Sequence, residues 1–109
     1  MDKRFLKRLP FKLFIKYGKE KPSFVGFSID ISKTGIYLKS NIAFSTNTDL
    51  VLKVTLPDGK IIGLKGRVVW EKKLPVEGNS PDGIGMGIKI TQTDPAYLSF
   101  IKEESRKKM

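Results

Sequence analysis

The stretch from Leu50 to Trp70, LVLKVTLPDGKIIGLKGRVVW, carries the clearest fold signal in this sequence of 109 residues. Apolar residues alternate with other residues on both sides of Pro57-Asp58-Gly59, a combination typical of a tight turn. Alternation with a period of two indicates β-strands with one buried face, so the stretch predicts two strands joined by a short turn. The predicted inward rows are Leu50, Leu52, Val54 and Leu56, followed by Ile62, Leu64, Val68 and Trp70.

The same alternation recurs before and after this stretch and predicts four further strands. Six strands joined by short turns favour a mostly antiparallel β-barrel, because closing the sheet removes its exposed edges. The predicted fold class is therefore all-β. The inward rows of the other strands are expected to be Phe11, Leu13, Ile15 and Tyr17; Val25, Phe27, Ile29 and Ile31; Ile36 and Leu38; and Ile84, Met86, Ile88 and Ile90.

One short α-helix is predicted after the last strand. Asp94 is a favourable N-cap residue, and Pro95 suits the first helical position. Tyr97, Phe100 and Ile101 fall on one face at helical spacing, so the helix is expected to pack against the barrel through this face.

The composition excludes several classes of function. The chain contains no cysteine and no histidine, which removes disulfide scaffolds, thiol nucleophiles, a histidine base and the usual zinc sites. No apolar stretch approaches the roughly 20 residues that a membrane-spanning helix needs. The expectation is a single-domain binding module in the cytoplasm, without a metal or cofactor and without enzymatic activity.

The positive charge is concentrated near the N-terminus. The first 21 residues hold eight of the 21 basic residues and two acidic ones, so they contribute +6 to the net charge of +10. Such a segment is typical of proteins with an anionic partner, although a solvated tail would have the same composition. Residues 1–10 are expected to form a flexible basic arm, and residues 11–109 the barrel domain with its helix.

Two short motifs stand apart from the strand pattern. Arg4 and Arg8 form an R-x-x-x-R spacing, and Asp30, Ser32 and Gly35 form a D-x-S-x-x-G spacing between two predicted strands. Taken singly, the first motif is commonly just part of a basic tail, and the second is most often a capped turn. Together they suit a guanine nucleotide. Arginine matches phosphate and the O6/N7 edge of guanine, and a carboxylate accepts from its N1–H and amino group.

In the D-x-S-x-x-G segment, strict alternation places Asp30 and Ser32 on the outer face, one pleat apart, with Ser28 on the same face. Gly35 is expected to supply either a positive φ or a bare backbone where the chain turns.

The ordered pair of motifs resembles the PilZ family, receptors for the bacterial second messenger cyclic di-GMP. The resemblance extends to the Gly66–Trp70 strand, the Gly85-Met86-Gly87 strand and the terminal helix. It implies a split-barrel type of fold and a nucleotide held between arm and barrel. The implied ligand-binding residues are Arg4 and Arg8 with Lys3 and Lys7 from the arm, and Asp30, Ser32 and Gly35 from the barrel.

The resemblance further implies signalling through a protein partner after a change in the arm. Two alternatives remain open: a PilZ-like adaptor that does not bind nucleotide, and a small basic barrel that binds single-stranded nucleic acid.

Overall fold

The computed structural model describes residues 8–74 and 83–107. This part of the chain contains six antiparallel strands that form a closed barrel, followed by one helix. The elements are β1 (Phe14–Gly18), β2 (Phe24–Ile31), β3 (Gly35–Ser40), β4 (Asp49–Thr55), β5 (Ile61–Leu74), β6 (Gly83–Gln92) and α1 (Pro95–Lys107). The all-β prediction of a six-stranded antiparallel barrel with a C-terminal helix is confirmed.

The barrel closes through β1, the strand that pairs with both β2 and β4. Around the barrel the strands follow the order β1-β2-β3-β6-β5-β4. Within β1, Ile15 lies opposite Gly26 of β2 and Val54 of β4. Each of the six strands therefore has two neighbours, so none presents a free edge to another chain.

The turn between β4 and β5 has the predicted position. Gly59 adopts a φ of 92°, a left-handed conformation that strains residues with a side chain. The backbone N–H of Leu56 donates to the carbonyl of Lys60, and that of Gly59 donates to the carbonyl of Leu56, both at 2.8 Å. The local sequence thus accounts for the turn.

The interior largely follows the predicted alternation in β1, β3, β4 and β6. Apolar side chains from all six strands and from the helix meet in one cluster, with Tyr17, Leu38 and Met86 among its largest fully buried members. Ile84 and Ile90, at the two ends of the β6 row, are only partly buried. The core thus fills the barrel.

The inward row predicted for β2 was wrong in three of its four positions. Val25, Phe27 and Ile29 are exposed, with 47%, 43% and 38% of their surfaces accessible, and only Ile31 is buried. The expected outward position of Ser28 was wrong for the same reason, since Ser28 is buried.

Two features of β2 explain the reversal. Gly26 and Ser28 face the interior, and the Ser28 hydroxyl accepts from the backbone N–H of Leu13 at 2.8 Å and donates to the carbonyl of Phe11. A bulge between Ser28 and Asp30 then shifts the register. Because a bulge adds one residue to the strand, the inward–outward alternation of side chains shifts by one position, and Ile31 points into the core.

The predicted inward position of Trp70 was also wrong. Val68 is fully buried as expected, but the register of β5 against β6 shifts between Val68 and Trp70. The indole consequently lies on the outer face, where 38% of the surface of Trp70 is accessible.

The helix begins as predicted. The Asp94 carboxylate accepts from the backbone N–H of Ala96 at 2.7 Å and thereby caps the first turn. Tyr97 and Ile101 are buried in the barrel core, and Phe100 is partly buried. No helix in the described ranges is long and apolar enough to cross a membrane.

The expected arm, residues 1–10, is described only from Arg8 onward; Lys3, Arg4 and Lys7 lie outside the described residues. Leu9 is buried and forms a β-bridge with Ile31 through two backbone hydrogen bonds of 2.7 and 2.9 Å. The chain is therefore already attached to the barrel at Leu9, inside the range expected to be flexible.

Candidate ligand-binding site

Four residues form one row across the outside of the barrel. Asp30 of β2 lies opposite Tyr37 of β3, Tyr37 lies opposite Gly87 of β6, and Gly87 lies opposite Trp70 of β5. Residues directly opposite in paired strands share a face. The row therefore places a carboxylate, two aromatic rings and an intervening glycine on one surface.

Arg8 reaches this row from the N-terminal segment. Its Nε donates to Oδ1 of Asp30 at 2.5 Å, and the two side chains are 45% and 26% exposed. Leu9 and Ile31 directly follow Arg8 and Asp30 in the chain. The β-bridge between them therefore holds the backbone next to both members of this contact. Because consecutive side chains in an extended segment point to opposite sides, burial of Leu9 turns Arg8 outward toward Asp30.

Ser32 builds the turn that follows Asp30. Its hydroxyl accepts from the backbone N–H of Gly35 at 3.1 Å and from that of Thr34 at 3.3 Å, while its own N–H donates to the carbonyl of Gly35 at 2.9 Å. The side chain is buried. The expectation that Ser32 points outward beside Asp30 was wrong, because β2 ends at Ile31 and the Ser32 hydroxyl turns inward to accept the hydrogen bonds of the turn.

Gly35 provides a bare backbone beneath Arg8. Positive φ angles occur at Asn47 and Gly59 among residues 8–74 and 83–107, so of the two roles expected for Gly35 only the second applies. A Cβ atom there would lie 3.0 Å from the carbonyl oxygen of Ile88 and 3.7 Å from Nη1 of Arg8. A Cβ atom at position 35 would therefore press on the backbone of β6 and come into van der Waals contact with the guanidinium.

The two aromatic residues of the row form a wall around Gly87. The rings of Tyr37 and Trp70 meet edge to face, with centroids 4.9 Å apart. A Cβ atom on Gly87 would collide with Nε1 of Trp70, so the indole lies directly over the glycine backbone. Nζ of Lys72 lies 5.6 Å from the centroid of the Trp70 ring, within the range of a cation–π contact.

The row from Asp30 to Trp70, together with Arg8 and Gly35, lines a cavity of about 550 Å³ on the outside of the barrel. Its walls combine an aromatic surface, two cationic side chains and one carboxylate, which suits a ligand that is both planar and anionic. The lining residues are Arg8, Asp30, Thr34, Gly35, Ile36, Tyr37, Val69, Trp70, Gly87, Ile88 and Lys89.

Tyr97 supports the floor of the site from the helix. Its hydroxyl donates to the carbonyl oxygen of Ser32 at 2.7 Å inside the core. Burial raises the pKa of this hydroxyl well above its usual range, and the positive charge of Arg8 opposes that rise in part. The hydroxyl consequently keeps its proton and remains a donor, which ties α1 to the turn that presents Asp30 and Gly35.

Of the residues expected in the site, the structure brings Arg8, Asp30 and Gly35 together around one cavity. Ser32 lies behind them in the turn. The described residues contain no cluster of acidic side chains that could hold a metal ion.

The sequence interpretation missed Tyr37 and Trp70 as part of the site. A signal for Trp70 was present: three consecutive apolar residues, Val68, Val69 and Trp70, interrupt the alternation and indicate a bulge. No comparable signal marks the bulge in β2, where the residue types alternate without interruption.

The fold is similar to that of three solved structures. The inhibitor of motility MotI/DgrA from Bacillus subtilis matches over 93% of this chain with a TM-score of 0.75 and 17% identity, and this chain spans 48% of that longer protein. The PilZ domain with c-di-GMP of YcgR from Escherichia coli matches with a TM-score of 0.70 and 11% identity, covering 94% of this chain and 93% of that one.

The third similar structure is the PilZ domain of CeSA from a cellulose-synthesizing bacterium, with a TM-score of 0.57 and 22% identity; the match covers 87% of this chain and 89% of that one. Among curated proteins, no sequence matches this chain significantly. The model of the PilZ domain family matches residues 2–104. This chain therefore belongs to the PilZ domain family.

Proposed function

We propose that this protein is a receptor for cyclic di-GMP that acts in the cytoplasm, catalyses no reaction and signals through a protein partner. The observation that carries the proposal is the convergence of Arg8 and Asp30 on a cavity walled by Trp70. One guanine nucleotide would use all three groups. Membership in the PilZ family and the fold shared with a c-di-GMP-bound PilZ domain support the choice of ligand.

Asp30 is assigned the role of guanine recognition. Its carboxylate is partly exposed at the edge of the cavity, and a carboxylate accepts from the N1–H and amino group that guanine presents side by side. Adenine offers no such pair of donors at that edge. Asp30 should therefore select guanine over adenine.

Arg8 is assigned to the phosphates and to the face or edge of a guanine. A guanidinium has several N–H donors in one plane, of which only Nε is used in the contact with Asp30. Binding would exchange the Asp30 contact for contacts to the ligand. Lys3, Arg4 and Lys7 are proposed to add further cationic contacts, while Ser32 and Gly35 shape the turn on which the base would rest.

Trp70 is assigned to the wall on which a base would stack. The indole is fixed over Gly87 and against Tyr37, so its orientation is set before the ligand arrives. Stacking of a base on an aromatic side chain is worth about 1–3 kcal/mol.

Calorimetric titration tests the proposal directly. Four ligands should be compared: cyclic di-GMP, cyclic di-AMP, GTP and a short single-stranded oligonucleotide. We expect binding of cyclic di-GMP with a free energy of about −8 kcal/mol or better, and little response to cyclic di-AMP. Equal binding of the two dinucleotides would overturn the proposal, and preferential binding of the oligonucleotide would assign the protein to the nucleic-acid-binding class instead.

A further inference from the structure

A second surface, separate from the Arg8–Asp30 cavity, is formed by the outer face of β2. We call this surface, Val25, Phe27 and Ile29 with the groove beside them, the β2 face. Its three apolar side chains are exposed because β2 turns Gly26 and Ser28 inward. Phe14 of β1 extends it, with its ring centroid 5.8 Å from that of Phe27. A contiguous exposed apolar patch of this kind is typical of an interaction site.

The β2 face is concave. A groove of about 690 Å³ runs along β2, bounded by Pro10 and Lys12 on one side and by Lys39 on the other. A groove receives a protruding row of side chains, whereas a bilayer is contacted by apolar groups that protrude. The shape therefore favours a protein segment as the occupant.

The rim of the β2 face is basic. Nζ of Lys12 lies 4.9 Å from the centroid of the Phe27 ring. Lys39 lies opposite Phe27, and Lys16 lies opposite both Val25 and Lys53. No carboxylate is among the described residues that line the groove. An occupant with acidic side chains beside its apolar ones would match this charge pattern.

The chemistry also narrows the type of occupant. Phe27 carries the one ring among the three side chains that define the face, and Nζ of Lys12 already lies over it, so the face lacks the row of open rings on which single-strand-binding barrels stack successive bases. The barrel is closed, so an added β-strand would find no free edge on β2. An amphipathic helix lying in the groove matches both features, because it would place apolar side chains on the groove floor and acidic ones beside the basic rim.

We propose that the β2 face binds an acidic amphipathic helix of a partner protein. This inference rests on the part of the proposed function that gives the chain a protein partner, and it does not require nucleotide binding. The β2 face also borders the nucleotide site: Arg8 lines the cavity, while Pro10 and Lys12 line the groove. Asp30 directly follows Ile29, so the two surfaces are adjacent along β2.

The test uses the full chain, labelled with ¹⁵N, and two synthetic helical peptides. One peptide carries leucine on one face and glutamate on the opposite face, and the matched peptide carries lysine in place of every glutamate. In nucleotide-free NMR titrations, we expect the acidic peptide to shift the amide signals of β2 together with those of Lys12 and Lys39. The lysine peptide should leave them unchanged.

Substitutions on the β2 face and on the opposite side of the barrel test where the peptide binds. Phe27→Ser and Lys12→Glu should each weaken binding of the acidic peptide at least about tenfold, in line with the loss of an interface anchor. Ile61→Ser and Lys65→Glu are matched controls, because both residues are exposed on β5, the strand opposite β2 in the barrel order. These two variants should bind the peptide as the unchanged protein does.

Three results would overturn the proposal: no binding of the acidic peptide, equal binding of the lysine peptide, or equal losses in the β5 controls. Parallel titrations with phosphatidylglycerol vesicles and a single-stranded oligonucleotide complete the test. If either bound more tightly than the acidic peptide, and Phe27→Ser abolished that binding, the face would belong to lipid or nucleic acid instead. Cyclic di-GMP affinity, measured on the same samples, separates failure here from failure of the nucleotide assignment.

Discussion

Arg8 and Asp30, 22 positions apart in the chain, form an ion pair in which Nε of the arginine donates to Oδ1 of the carboxylate at 2.5 Å. The same two groups are the strongest candidates for contacts to a guanine nucleotide. The contact uses one donor of the guanidinium and one oxygen of the carboxylate, so a ligand bound by both groups would compete with their mutual contact. Because Arg8 is nearly half exposed, the pair should contribute little to stability, about 0–1 kcal/mol.

Replacing Arg8 separates its charge from its geometry. Arg8→Ala should abolish measurable binding of cyclic di-GMP, and Arg8→Lys should recover little of it, because lysine retains the charge but loses the planar two-point contact. Calorimetry measures the affinities. Both variants should keep a melting temperature close to that of the unchanged protein. If Arg8→Lys restored the full affinity for cyclic di-GMP, Arg8 would act only through its positive charge.

Replacing Asp30 by asparagine tests base selection. Asp30→Asn preserves the shape of the side chain but replaces one acceptor oxygen by an amino group, so the match to the two donors of guanine is lost. The affinity for cyclic di-GMP should fall by at least about tenfold and approach that for cyclic di-AMP. Competition between the two dinucleotides in one titration provides the measurement. An unchanged preference for guanine would remove Asp30 from the recognition role.

Adding a methyl group at Gly87 tests the wall formed by Trp70. Because a Cβ atom there collides with the indole, Gly87→Ala should displace the ring and weaken nucleotide binding by about 1–3 kcal/mol, the usual value of one stacked base. Trp70 is the sole tryptophan, so its fluorescence emission reports the displacement directly.

Gly63→Ala is the matched control for Gly87→Ala. It adds the same methyl group to a strand glycine where, apart from the adjacent residues of the chain, no atom lies within 4 Å of the new position. Fluorescence and affinity should both remain unchanged in this variant. If Gly87→Ala behaved like Gly63→Ala, the indole would have no part in binding.

Removing the Tyr97 hydroxyl tests the link between the helix and the site. Tyr97→Phe deletes the hydrogen bond to the Ser32 carbonyl in the core, which should lower the free energy of unfolding by about 1–3 kcal/mol. Urea denaturation measures the loss. Tyr37→Phe, which retains the ring contact with Trp70 on the outer face, should cost less.

Tyr97 should also make stability depend on alkaline pH. An unfolded tyrosine ionises near pH 10, and burial raises the pKa of Tyr97 in the folded state, so the unfolded chain releases its proton first. The stabilisation that arises from this difference in pKa is therefore complete below about pH 10. It is lost as the pH rises toward the pKa of the folded state, at about 1.4 kcal/mol per pH unit. In Tyr97→Phe, urea denaturation near pH 9 and pH 11 should show a shallower dependence; an unchanged slope would contradict the assignment.

Local sequence accounts for much of the fold. The turn at Gly59 and the cap at Asp94 lie where their residue types predict them, because each depends on a few neighbouring residues. Alternation predicted the six strands, since one buried face imposes a period of two. The R-x-x-x-R and D-x-S-x-x-G spacings also identified Arg8, Asp30 and Gly35, the three residues that the structure gathers around the cavity.

Which side of each strand faces the core was decided by the tertiary structure. The bulges before Asp30 and Trp70 arise where β2 meets β3 and where β5 meets β6, and each reverses the inside and outside of the residues around it. The bulge in β5 brings Trp70 to the wall of the Arg8–Asp30 cavity, and the bulge in β2 turns Phe27 outward. A bulge depends on the pairing of strands far apart in sequence. Its physical cause therefore lies in contacts that local alternation does not contain.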